Sequence, residues 1–161
     1  MKPYDIDKLI AKKQTESGQV FYEVRKIILN PDALSYCVDM MCEFYRDLRL
    51  DAVACSSGRG VVFAAPFAYR MHLPLMFLET LHNAFHQENY TLNTPRDQID
   101  SNMKFLIVDD LIASGKTALS AAQCIEGRGS AVGAIFGIIG LKDRGYEENL
   151  LSYDVKTLIS Y

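Results

Sequence analysis

The segment Phe105–Thr117 reads FLIVDDLIASGKT: apolar residues, two adjacent acids, a short run of small residues and the start of a helical pattern. The composition of Phe105–Val108 is typical of a fully buried parallel strand, and Thr117–Ile125 predicts a helix. In a parallel sheet, ligands bind where strands end and helices begin. This order of residues therefore predicts a ligand site at the turn between the strand and the helix.

The residues of this turn are suited to a phosphate and a sugar. Ala113 to Thr117 would expose backbone N–H groups at a helix N-terminus, which binds phosphate. Asp109 and Asp110 can accept hydrogen bonds from a ribose diol, and their charge favours a sugar that becomes cationic during reaction. A nucleotide-hydrolysing P-loop is disfavoured, because Asp110 stands where that motif needs its first glycine. The alternative, two acids that only cap a helix or face solvent, does not explain the order of the segment.

Strands alternate with helices along most of the chain, which predicts an α/β fold with a parallel, Rossmann-like sheet covered on both faces. Residues 1–29 do not fit this alternation and predict a small N-terminal hood on a core of residues 30–161. The polar stretch of about 79–103 predicts a flexible lid hairpin. We expect one domain over residues 1–161. The other predicted elements are the helix after Asn30, the helix Val61–Met71, and the strands Ala52–Cys55, Leu75–Leu78, Val132–Leu141 and Val155–Ile159.

The composition narrows the class of protein. The chain has 161 residues, of which 49% are hydrophobic, and a net charge of −3, which excludes a disordered chain and gives no basic footprint for nucleic-acid binding. The longest apolar run, Ala131–Leu141, is too short for a membrane span. Met1–Asp5 contains no apolar signal core, so we expect a cytoplasmic protein that binds neither nucleic acid nor membrane. The cysteines have no metal-ligand spacing.

The segment Phe105–Thr117 resembles the signature of type I phosphoribosyltransferases, which join a nitrogenous base to the ribose of phosphoribosyl pyrophosphate. The resemblance extends along most of the chain and implies that family's fold. It also implies that Asp109 and Asp110 are the catalytic residues and hold the ribose hydroxyls. The residues that would hold the 5′-phosphate are Ala113, Ser114, Gly115, Lys116 and Thr117.

A second loop follows the first core strand, at the place where these enzymes bind pyrophosphate. The resemblance implies that Ser57, Gly58, Arg59 and Gly60 bind this anion, and a guanidinium is suited to it. Taken alone, the same residues are equally typical of an ordinary turn. The resemblance also implies Mg²⁺, which would bridge pyrophosphate and ribose oxygens. Substrate and water, rather than direct protein ligands, would hold the ion.

The base is less well defined by the sequence. Phe21 and Tyr22 are similar to the aromatic pair of orotate phosphoribosyltransferases, which lies against the base, and Arg144 would then pair with the orotate carboxylate. The spacing in Asp143–Leu150 looks equally like adenine phosphoribosyltransferases, and Arg144 is equally compatible with an exposed turn. We expect orotate as the first choice and adenine as the second.

The sequence departs from its relatives at Glu79 and Thr80. Active relatives usually place a basic pair there, which meets the pyrophosphate, and losing such a contact costs on the order of a hundredfold in rate. The departure leaves open a non-catalytic relative that binds phosphoribosyl pyrophosphate as a regulator. We expect the enzyme, acting on small-molecule substrates, and the resemblance implies a homodimer.

Overall fold

The computed structural model describes residues 5–14, 20–56, 58–80, 92–93 and 99–161. The N-terminal part begins with a short 3₁₀ turn, Ile6–Leu9. Strands β1 (Ala11–Gln14) and β2 (Val20–Glu23) then form an antiparallel two-stranded sheet of their own. Successive residues of a strand point to opposite faces, so Phe21 and Tyr22 lie on opposite faces of β2. Among the described residues, this hairpin and the main sheet are separate sheets.

The main sheet contains the other described strands, which are β3 (Ala52–Ser56), β4 (Leu75–Thr80), β5 (Leu92–Asn93), β6 (Lys104–Ile112), β7 (Ala131–Gly140) and β8 (Val155–Ser160). Their order across the sheet is β5-β4-β3-β6-β7-β8. The neighbours within β4-β3-β6-β7-β8 pair in parallel, and β5 pairs with β4 in antiparallel orientation. The expected parallel α/β sheet is therefore confirmed.

The helices cover both faces of this sheet. Asn30 caps α2 as expected, since its Oδ1 accepts hydrogen bonds from the backbone N–H groups of Asp32 and Ala33, each at 3.1 Å. Within β6, Leu106 and Val108 pack in one buried cluster, while Phe105 and Ile107 pack in a second on the opposite face. The helices are α1 (Arg25–Ile28), α2 (Pro31–Tyr45), α3 (Val61–Met71), α4 (Lys116–Glu126) and α5 (Tyr146–Asn149).

The central strand is longer than the sequence predicts. We expected it to end at Val108, before the acid pair, but β6 continues through both acids to Ile112. The reason is its neighbour β7, whose residues continue the backbone ladder, with Ile112 opposite Gly140. A polar residue does not end a strand that still has a hydrogen-bonding partner. The connection to α4 is consequently reduced to Ala113–Gly115.

The predicted lid falls mostly outside the described residues. Within it, Glu79 and Thr80 complete β4, and β5 pairs with them in antiparallel register. Residues 81–91 and 94–98 are among those that the structure does not describe. None of the helices in the described part of the chain has the length and apolar character that crossing a bilayer requires.

Candidate active site

The turn between β6 and α4 encloses a small cavity of about 80 Å³ at the N-terminus of α4. Gly115 adopts a φ of +75°, a conformation that L side chains rarely adopt. A Cβ atom on this residue would lie 2.9 Å from Leu150 Cγ, so only glycine fits. The cavity is lined by Asp109 and residues 111–118, which include all five residues of the predicted phosphate turn.

Asp109, the first acid of the pair, lines this cavity. Asp110 is 8% exposed, and its backbone N–H donates a hydrogen bond to Asp109 Oδ1 at 2.8 Å. Burial of Asp109, together with the negative charge of Asp110, raises the pKa of Asp109 from an ordinary 3.8 to about 7. The site thus contains one carboxyl group that is easily protonated near neutral pH beside a second that has a cationic partner.

That partner is Arg59, from the loop that follows β3. Its Nε atom lies 2.8 Å from Asp110 Oδ2. The loop can approach β6 because residue 60 is a glycine: a Cβ there would lie 3.1 Å from Asp109 Cα and 3.2 Å from the Val108 carbonyl oxygen. The structure therefore brings Arg59 and Gly60 against the acid pair. Gly58 belongs to the same loop, and Ser57 lies outside the described residues.

A larger cavity of about 820 Å³ opens beside the turn and collects residues that are distant in the sequence. The predicted base residues Phe21, Tyr22 and Arg144 all line it, together with Arg59 and Lys116. Phe21 is 50% exposed, and the Arg144 side chain, whose Nε lies 3.7 Å from Asp143 Oδ2, is also half-exposed. The hairpin, the loop after β3 and the turn after β6 thus share one cavity.

Tyr22 is held by a residue that the sequence analysis did not single out. Its ring stacks on that of Tyr161, with centroids 4.7 Å apart and an interplanar angle of 23°. The Lys12 ammonium lies 3.8 Å from the centre of the Tyr161 ring, and the Tyr161 hydroxyl donates a hydrogen bond to Asp7. Tyr161 therefore joins the hairpin to the end of β8. No local pattern predicts this contact, because it depends on tertiary packing.

Glu23 is a second site residue that sequence analysis missed. Its carboxylate lines the larger cavity and is 16% exposed, with Lys13 Nζ at 2.9 Å and Arg25 Nη2 at 2.8 Å. The hydrogen bond from Lys13, followed by the positive charges of Arg25, Lys13 and Arg59, lowers its pKa. Glu23 is thus an ionised acceptor within the wall of the cavity.

The carboxylates of the site are chemically compatible with a magnesium ion. The described residues contain no group of three or more His, Cys, Asp or Glu side chains arranged to hold a metal. Asp109 and Asp110 provide hard oxygen atoms, and Asp110 already has Arg59 as a partner. Because Mg²⁺ keeps several waters and commonly binds one or two carboxylates with substrate phosphates, this donor set is compatible with it.

An acid pair at the carboxyl edge of a parallel sheet, next to a turn of N–H groups at a helix N-terminus, defines an α/β protein of the class that binds phosphorylated ligands at this edge. The pattern of the phosphoribosyl transferase domain matches residues 27–160. The chain belongs to this family. The expectation of a pentosyl-transferring enzyme of the phosphoribosyltransferase type is confirmed.

Individual relatives are adenine phosphoribosyltransferases. That of Treponema denticola is 36% identical over 156 residues, covering 91% of this chain and 82% of the relative. That of Treponema pallidum is 32% identical over 168 residues, covering 97% of this chain and 88% of the relative. The crystal structure of the Thermoanaerobacter pseudethanolicus enzyme has a TM-score of 0.89 at 24% identity and covers 98% of both chains. These relatives do not support our first choice, orotate, and fit the second choice better.

Proposed function

We propose that this protein transfers the 5-phosphoribosyl group of phosphoribosyl pyrophosphate to adenine and releases pyrophosphate. The observation that carries the proposal is the position of Arg59: it lines, with the turn after β6, a cavity of about 820 Å³, and it pairs with Asp110, whose neighbour Asp109 lines the small cavity of the same turn. That volume is within the range of small-molecule sites. The names of the relatives at 36% and 32% identity support adenine as the base.

The 5′-phosphate binds in the small cavity at the start of α4. Backbone N–H groups of the turn and the positive end of the helix favour a dianion there. The Ser114 and Thr117 hydroxyls and the Lys116 ammonium, which all belong to residues of the cavity wall, add polar contacts. Ala113 and Gly115 provide backbone without side-chain obstruction. This turn orients the sugar by its phosphate.

The ribose hydroxyls bind to Asp109 and Asp110. Both acids stabilise positive charge on the sugar as the bond to pyrophosphate breaks, because they lie in a partly buried site where such charge interacts strongly. A hydroxyl that donates to Asp109 favours its ionised form, which offsets the effect of burial on its pKa. Substrate binding and ionisation of Asp109 are therefore coupled.

The pyrophosphate group binds to the loop after β3, through Ser57, Gly58, Arg59 and Gly60. Arg59 is half-exposed in its ion pair with Asp110, so its guanidinium can turn from the carboxylate to an incoming polyanion. Magnesium, bound with phosphoribosyl pyrophosphate through substrate oxygens and water, supplies charge neutralisation of the leaving group. The two ends of phosphoribosyl pyrophosphate thus bind to different segments: the 5′-phosphate to the turn after β6 and the pyrophosphate to the loop after β3.

The base lies in the larger cavity, between the hairpin and the turn after β6. Phe21 and Tyr22 contribute apolar surface, and Arg144 contributes a cation to the same cavity. Glu23 adds to the cavity wall a carboxylate, which provides an acceptor for the amino group of adenine.

The proposal also includes the domain organisation and the association of two copies. Residues 1–29 act as a hood over a core of residues 30–161, and residues of about 79–103 act as a lid that excludes water during transfer. The whole of 1–161 is one domain, and two copies associate. The exposed apolar side chain of Phe77 is available for such a contact. Sedimentation at micromolar concentration tests the dimer directly.

A transferase assay tests the proposed function. The protein is incubated with Mg²⁺, phosphoribosyl pyrophosphate and each of adenine, hypoxanthine, guanine, orotate and uracil, and pyrophosphate release is measured. We expect release with adenine, which an Asp110→Asn variant reduces by about a hundredfold or more. Release with orotate alone would overturn the assignment of the base. Tight binding of phosphoribosyl pyrophosphate without release from any base would support a regulator instead.

A further inference from the structure

A residue of α5 binds the backbone of the turn Ala113–Thr117, the proposed phosphate site. The Asn149 Nδ2 atom donates a hydrogen bond of 2.8 Å to the Ser114 carbonyl oxygen. The next residue, Leu150, fills the space beside Gly115, where a Cβ atom would lie 2.9 Å from its Cγ and 3.0 Å from its Cδ1. Two consecutive residues therefore contact both halves of the Ser114–Gly115 peptide.

The conformation of this peptide decides what the turn presents to a ligand. Gly115 has φ +75° and ψ −2°, the values of the third residue of a type II turn. Type I and type II turns differ by rotations of roughly 150–170° about the two bonds that flank the middle peptide. The middle peptide, here Ser114–Gly115, is therefore flipped between the two turn types. The side of the turn that has its N–H group in one type has its carbonyl oxygen in the other.

A carbonyl oxygen that faced the cavity would repel a phosphate, whereas an N–H group binds it. Carbonyl and N–H groups point in opposite directions from a planar trans peptide. A donor that binds the Ser114 carbonyl consequently directs the Gly115 N–H the other way. Neither Asn149 nor Leu150 lines the small cavity, so the group to which the Ser114 carbonyl is directed lies outside the cavity wall.

We propose that Asn149 is a positioning residue that fixes the orientation of the Ser114–Gly115 peptide so that the turn binds the 5′-phosphate. This inference rests on the proposed function, because it takes the turn to be the phosphate site. Asn149 acts through the backbone and contacts no reacting atom. Leu150 contributes shape, and the Asn149 amide contributes the directed hydrogen bond.

The test is the Asn149→Leu variant, which keeps the size of the side chain and removes the donor without adding charge. Its neighbour on α5, the exposed Glu148, provides a matched control as Glu148→Gln. Calorimetric titration with ribose 5-phosphate should show an affinity roughly fivefold to tenfold lower in Asn149→Leu, which is the typical net contribution of one hydrogen bond. The control should bind as the unmodified protein does. The midpoints of thermal unfolding show that all three proteins are folded.

Steady-state kinetics separate positioning from a general structural effect. In Asn149→Leu, the KM for phosphoribosyl pyrophosphate should rise in proportion to the loss of ribose 5-phosphate affinity, while the KM for the base stays unchanged. Unchanged ribose 5-phosphate affinity, or an equal loss in Glu148→Gln, would overturn the inference. If the unmodified protein binds ribose 5-phosphate but turns over no base, the proposed function fails while the titration still tests Asn149.

Discussion

The guanidinium of Arg59 and the carboxylate of Asp110 form an ion pair, with Nε 2.8 Å from Oδ2, across the gap between the loop after β3 and strand β6. Asp110 is 8% exposed, so it depends on this partner more than an acid on the surface would. The two residues belong to different halves of the proposed site, the pyrophosphate loop and the sugar acids. The ion pair therefore places these halves in register before substrate binds.

Replacing Arg59 by alanine should weaken binding of phosphoribosyl pyrophosphate. The variant loses a cation that faces the leaving group and leaves Asp110 without its partner, so we expect the KM for phosphoribosyl pyrophosphate to rise about tenfold or more. The KM for adenine should change little. Arg46→Ala, which removes an arginine paired with Glu43 on α2, serves as the control. Equal effects of the two substitutions on this KM would contradict the assignment of Arg59.

The raised pKa of Asp109 makes stability depend on pH. Between its ordinary value of 3.8 and its value of about 7 in the folded chain, the folded state binds more protons than the unfolded state. The contribution of Asp109 to the free energy of unfolding therefore falls as pH rises through this window. Asp109→Asn, which stays neutral, should be more stable than the unmodified protein by about 1–3 kcal/mol at pH 8 and equally stable near pH 4.

Urea unfolding at the two pH values measures this difference. Asp47→Asn, at an exposed aspartate that follows α2, is the control and should show the same small difference from the unmodified protein at both pH values. A stability gain in Asp109→Asn that is as large at low pH as at high pH would show that ionisation of Asp109 is not its source.

The stack of Tyr161 on Tyr22 should position the hairpin over the base. Tyr161→Leu removes the stacked ring, its contact with Lys12 and its hydrogen bond to Asp7. An aromatic pair contributes roughly 0.5–1.5 kcal/mol beyond its buried area, so the KM for adenine should rise about threefold to tenfold. The KM for phosphoribosyl pyrophosphate should rise less. Tyr69→Leu, at a residue that is 81% exposed on α3, should leave both constants unchanged.

The negative charge of Glu79 should weaken the binding of phosphoribosyl pyrophosphate. Glu79 is exposed near the end of β4, one residue beyond Leu78, which pairs with Ser56 at the end of β3. Glu79→Lys should lower the KM for phosphoribosyl pyrophosphate by about twofold to fivefold, because it replaces a repulsive charge near the pyrophosphate loop with an attractive one. The same charge change in Glu43→Lys, on α2 and outside both cavities, should have no effect. A higher KM in Glu79→Lys would contradict this placement of the pyrophosphate.

The sequence predicts the layered sheet and the position of the phosphate turn because both depend on local patterns. The predicted bounds of α3, Val61–Met71, agree with the structure, and Asn30 is the N-cap that its side chain predicts. The predicted end of β6 was wrong because the length of this strand depends on its pairing with β7. The residues of β7 are distant in the sequence, so the local pattern around β6 does not include them. Apolar and polar composition alone could not reveal that partner.

The rest of the site depends on contacts between distant segments. Arg59 and Asp110 were each assigned from the resemblance, but their ion pair results from the close approach of Gly60 to β6. The resemblance includes the stretch Asp143–Leu150, but it assigns no role to Asn149 or to Tyr161. Their contacts follow only from the residues that the fold places beside them. A sequence pattern predicts which groups a site contains more readily than what holds them in place.

A crystal structure with adenosine monophosphate is the measurement that tests the central claim most directly. We predict that the phosphate lies in the turn Ala113–Thr117, that the ribose hydroxyls contact Asp109 and Asp110, and that the adenine ring lies between Phe21 and Arg144. A phosphate bound away from this turn, or a ribose that contacts neither acid, would contradict the account.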